Sequence, residues 1–126
     1  MSVPRNVLWF EVLMYISLML DAISVAVQDR TPTPENPDSA IMAVAILNGI
    51  VIVAMAFFVY LAAHGRKNWS RWVILAVEVL TIISLALFLR DNNMTLDAGI
   101  EIIASVLVTI GLYYSFTGDA RGWFNA

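Results

Sequence analysis

Four apolar runs of about twenty residues each alternate with short polar stretches along this chain. A helix needs about 20 consecutive apolar residues to cross the roughly 30 Å hydrocarbon core of a bilayer. The runs predict four transmembrane helices over residues 7–27, 40–63, 69–89 and 98–116, forming a single domain over 1–126 with an interfacial tail at 117–126. The second run carries no formal charge, and none of the four shows the half-polar face of a soluble helix. Helices apolar all round are membrane spans or deeply buried, and a chain this short offers little protein to bury them.

The connections agree. Pro32, Pro34 and Pro37, set among Thr31, Thr33, Glu35 and Asp38, exclude a helix and favour an extended loop. Asp38 or Ser39 is then the expected N-cap of the second helix. The turn His64-Gly65-Arg66-Lys67-Asn68 places a glycine and cations where a helix C-terminus favours both. The first run imitates a signal sequence behind Arg5. Its length, its Glu11 and Asp21, and the lack of a small-x-small site mark it instead as a retained helix. The expected fold is all-α: an antiparallel up-down-up-down bundle of four membrane helices. Short second and third connections make helices two and three, and three and four, neighbours.

Composition sharpens this. Of the 126 residues, 60% are hydrophobic and 13% charged, about half the charge usage of soluble domains. Cysteine is absent and histidine occurs once, at His64. Those counts remove disulfides, thiolate metal sites and a bis-histidine haem. No cofactor, metal site or nucleotide motif is expected.

Charge placement predicts topology. With the N-terminus inside, the inner side holds Arg5, Arg66, Lys67, Arg71 and Arg121, whereas the outer side holds Arg30 and Arg90. The positive-inside rule then puts both termini in the cytoplasm. Trp9, Trp69, Trp72 and Trp123 fall at the same inner level, where aromatic rings anchor among headgroups. Together with Arg66, Lys67 and Arg71 they read as interfacial anchors on the lipid bilayer, and not as a nucleic-acid surface.

Candidate chemistry rests on four carboxylates inside the spans: Glu11, Asp21, Glu78 and Glu101. An ionised side chain at the bilayer centre costs about 2.5–3.5 kcal/mol on insertion scales, so such residues mark function by default. No Lys or Arg lies deep in a span to pair with them. Glu11, near the inner end, is expected to snorkel or pair with Arg5 or Arg71. Glu78 lies deeper, on the same helix face as Arg71. Asp21 shares a stripe with Ser17, Ser24 and Gln28, and Glu101 shares one with Asp97, Ser105 and Thr109. If the first helix closes on the fourth, the stripes line a polar cleft. The competing reading is that these groups only hydrogen-bond across helices. Asn48, beside Gly49, reads as a packing amide next to a close helix approach.

Three stretches carry a resemblance: Trp9-Phe10-Glu11, Arg66-Lys67-Asn68-Trp69-Ser70-Arg71-Trp72, and Phe116-Thr117-Gly118-Asp119-Ala120-Arg121-Gly122-Trp123-Phe124. Together they resemble a loose group of small four-helix proteins of bacterial inner membranes. The resemblance implies a topology and a bacterial source, and no activity. Small multidrug transporters differ, because their acidic residue is central in the first helix and Glu11 is near its end. Fluoride channels differ too, because their third helix is broken.

With no catalytic constellation in view, the first expectation is a non-catalytic accessory or interaction protein, self-associated or bound to a membrane partner. The alternative is a small transporter or channel for protons, cations or cationic amphiphiles. A lipid- or quinone-binding protein is the third.

Overall fold

The computed structural model describes residues 3–27, 31–35, 37–91, 93–120 and 122–125. Gln28 of the first stripe, and Asp29, Arg30 and Arg121 of the charge tally, lie outside the described residues. The chain is an all-α antiparallel bundle: α1 (Arg5–Val27), α2 (Asp38–Ala63), α3 (Asn68–Asp91) and α4 (Leu96–Phe116). Two short 3-10 turns follow, η1 (Gly118–Ala120) and η2 (Trp123–Asn125). All four long helices have the length and apolarity to cross a membrane.

The helix ends show local rules at work, with two departures from expectation. Thr95 caps α4 by accepting the Ala98 N–H at 3.3 Å. At α2 the N-cap position falls on Pro37, so Asp38 is the first helical residue and makes no capping bond. Asp38 still places a carboxylate in the first turn, where the helix dipole favours it. After α2 the left-handed residue is Arg66, at φ 55, and not Gly65. Gly65 is needed for a different reason: an added Cβ would stand 2.7 Å from the Leu61 carbonyl oxygen.

The most extensive helix contact joins the first helix to the last. On α1 the buried residues Val7, Phe10, Met14, Ser17 and Ser24 recur at heptad spacing, with Asp21 filling the remaining step. On α4 Gly111 faces this row, and Ala104 and Ser115 are buried on the same helix. Gly111 allows the approach, because a Cβ there would lie 3.0 Å from Met14 Cε and 3.5 Å from the Phe10 carbonyl oxygen. Gly49, expected to serve this purpose on α2, meets nothing within 4 Å. The glycine that brings helices together is therefore Gly111.

The apolar core occupies the end of the bundle that holds both termini. Val7, Phe10, Met14, Val59, Ile74 and Leu112 pack there with Trp123 and Phe124. The tail thus packs into the terminal end of the bundle. Trp123 is 8% exposed, and its Nε1–H donates to the Ala63 carbonyl at 2.8 Å, meeting one of the orphan acceptors at the end of α2. The Arg66 guanidinium covers the Trp123 ring at 4.3 Å and donates through Nε to the Trp123 carbonyl. Phe124 meets Phe10 edge-on, at 6.1 Å between centroids.

Arg71 also turns inward, contrary to its expected place at the interface. It is 9% exposed, donates to the Ser115 carbonyl at 2.8 Å and to Asn68 Oδ1, and lies over the rings of Phe116 and Phe124. A guanidinium suits this position because its flat face stacks on rings while its edges donate. Trp9, Trp69 and Trp72 remain outward and half exposed at this level, and Lys67 is exposed. On α2 only Val59, Ala62 and Ala63 are buried, leaving most of that helix facing outward.

Candidate functional site: a carboxylate-lined intramembrane cavity

Beyond the core, toward the end of the bundle opposite the termini, the helices part around a cavity of about 300 Å³. Met14, Val59 and Ile74 form its floor, joining it to the core. Every long helix contributes a polar side chain to its wall. Asp21 and Ser17 come from α1, Asn48 from α2, Glu78 and Thr81 from α3, and Glu101 and Ser105 from α4. Among the described residues no Lys, Arg or His lines it.

The α1–α4 packing brings the two acidic stripes face to face. The Asp21 and Glu101 carboxyl groups are neighbours on the cavity wall. Glu78 completes a triangle of acids, with the Ser105 hydroxyl beside its carboxyl. Glu78 is 7% exposed, yet its Oε1 is buried without a hydrogen-bond partner among the described residues. An unpaired buried acceptor costs about 1–3 kcal/mol, and more when charged. Asn48 of α2 lines the same cavity. It projects a donor and an acceptor into the cavity.

Other polar residues have private roles. Ser17 donates to the Met14 carbonyl at 2.6 Å and shows the cavity its flank. Thr81 donates to the Val77 carbonyl at 2.9 Å. Ser24 stands apart from the cavity and donates to the Asp97 carbonyl at 3.3 Å, tying α1 to the start of α4. Thr109 is exposed and returns its hydroxyl to Ser105, so the α4 stripe leaves the cavity above Ser105. Glu11 is absent from the cavity wall and faces the other end. Its partner is His64, through Nε2, in place of the expected Arg5 or Arg71.

Asn48 and Thr81 are the site residues that sequence reasoning missed. Thr81 lies three positions after Glu78, a spacing that puts both on one helix face. Asn48 is a single polar residue in a helix without a polar stripe, so nothing in its own run says which way it points.

Neighbouring carboxylates repel when both are charged, and a proton or a cation between them relieves that repulsion. Glu78 and Asn48 line the same cavity, and among the described residues nothing basic joins them there. The arrangement can therefore receive a cation, or exchange one for a proton. Comparisons with protein-family models, known proteins and solved structures find no match for this chain.

Proposed function

We propose that this protein binds a cation in the cavity between its four helices and exchanges it for a proton, as a small membrane carrier or receptor would. The observation that carries this reading is the convergence of Asp21, Glu78 and Glu101 on one cavity with no basic residue in its wall among the described residues. A purely structural role for three acids predicts that each would be bonded to a neighbouring helix. Glu78 Oε1 instead is buried without a hydrogen-bond partner among the described residues, and Asn48 lines the same cavity. The membrane we infer is a bacterial inner membrane, with both termini cytoplasmic. In support, Arg5, Arg66, Lys67 and Arg71 gather at the terminal end, and Arg90 is the cation described at the other.

The test is thermal unfolding of the purified protein with tetramethylammonium and a series of inorganic cations. A ligand of the folded state raises the melting temperature with concentration by linkage. The expected result is a shift that Asp21→Asn and Glu101→Gln each abolish while the variants remain folded. Equal shifts in parent and variants would remove the cavity from consideration.

A second reading, an accessory protein that assembles with itself or another membrane protein, is supported by the outward face of α2. It predicts a stable complex whose formation depends on Met42, Leu47 and Val53, which are exposed on that helix, and is indifferent to Asp21 and Glu101.

A further inference from the structure

A second, shallower groove adjoins the cavity. It runs between α3 and α4 on the outside of the bundle, lined by Leu80, Ser84, Leu85 and Phe88 together with Val77, Thr81 and Glu101. The last three also line the acid cavity, so the two spaces share a wall and Glu101 can be reached from both. Val77 to Phe88 spans roughly 16 Å at 1.5 Å per residue, about half of the approximately 30 Å hydrocarbon thickness. Leu80 is 64% exposed, and Ser84 and Phe88 are exposed beside it. In a transmembrane bundle these side chains face hydrocarbon, so the groove opens to lipid.

We propose that the ligand of the acid cavity is an organic cation with a hydrocarbon tail, entering sideways from the bilayer and leaving its tail in the α3–α4 groove. This rests on the cation-binding reading above and names its ligand class. The charge of the site and the character of the entrance together commit the occupant. Glu101, set in an apolar groove without a basic residue among those described, repels fatty acids and anionic headgroups and attracts a cation. A small inorganic ion would have to shed its hydration before crossing hydrocarbon to reach this opening, at a large solvation cost. An alkylammonium amphiphile already resides in the bilayer and brings a weakly hydrated head to the same depth. The acid cluster does not stand alone as a reason: the buried, unpartnered Glu78 Oε1 faces the same cavity into which the groove leads.

The test uses the protein in nanodiscs of zwitterionic lipid, with tetramethylammonium and with a dodecyltrimethylammonium analogue carrying a photoreactive diazirine in its tail. Both compounds are expected to bind. Cross-links should fall on α3 between positions 80 and 88, and excess unlabelled amphiphile or Glu101→Gln should remove them. Ser84→Trp, which fills the groove, should weaken binding of the long-chain cation about tenfold relative to tetramethylammonium. Cross-links scattered over α2, or a Ser84→Trp variant with the parental affinity ratio, would overturn the tail groove while leaving the cation site in place. Failure of tetramethylammonium and amphiphile alike to bind would overturn the cation reading itself, and this inference with it. Should Ser84→Trp fail to fold, the cross-link map on the parent protein decides.

Discussion

Asp119 holds Asn6: its Oδ1 accepts the Asn6 backbone N–H at 2.8 Å, and Oδ2 accepts the neighbouring Arg5 N–H at 3.0 Å. The contact is reciprocal, since Asn6 Nδ2 donates to the Thr117 carbonyl at 2.8 Å. A helix begins with unpaired N–H groups and a partial positive charge, and α1 receives its cap from residues more than a hundred positions away. Gly118 makes room for it. Its φ is 59, and a Cβ there would stand 2.5 Å from Asn6 Nδ2.

Asp119→Ala should therefore destabilise the bundle by about 0.5–2 kcal/mol, the usual cost of losing an N-cap. Asp119→Asn, which keeps an acceptor and loses the charge, should fall between variant and parent. Thermal unfolding in detergent measures both. An unchanged Asp119→Ala would mean that the cap contributes nothing.

The tail plug makes a similar prediction at a second point. Trp123→Phe keeps a ring under Arg66 but removes the N–H that Ala63 accepts. The expected cost is about 1–3 kcal/mol, because a buried carbonyl is left unpaired. Trp123→Ala should cost more, through lost packing as well. The difference between the two melting temperatures separates the hydrogen bond from the ring.

Two glycines predict opposite outcomes. Gly111→Leu forces a side chain against the α1 backbone and should cost about 1–3 kcal/mol by overpacking, while spreading the Asp21 and Glu101 helices. Gly49→Ala, pointing into open space, should be neutral or stabilising by up to about 1 kcal/mol through helix propensity. Unfolding of the two variants side by side tests the assignment of Gly111 as the close-approach residue.

Cation binding should depend on pH with a definite sign. The exchange proposed above, one cation for one proton, releases protons on binding, so affinity rises as pH rises. Calorimetry in buffers of different ionisation enthalpy reads the number released. It should drop in Asp21→Asn. A buffer-independent heat in the parent would rule out exchange.

Much of this architecture is legible in the chain, for identifiable reasons. Apolar runs longer than a soluble core needs announced the four spans to within two or three residues at each end. The four- and three-residue steps from Ser17 to Asp21 and Ser24 identified the inward face of α1. What stayed hidden depends on rotation and on distant partners. An almost wholly apolar helix such as α2 has no stripe to reveal that Asn48 looks inward. Arg71 and Trp123 match the composition of interfacial anchors, and they turn inward because Ser115, Asn68 and Ala63 offer acceptors that no local spacing discloses. For the same reason Glu11 finds His64, at the end of α2, and not an arginine.

Because α1 closes on α4, the acid site is assembled from opposite ends of the translation schedule. Asp21 precedes Glu101 by 80 residues (101 − 21), roughly 4–16 s of synthesis at about 5–20 residues per second. Throughout that interval Asp21 must enter the membrane without its partner. The proposed site is thus completed in a single late step, when α4 docks.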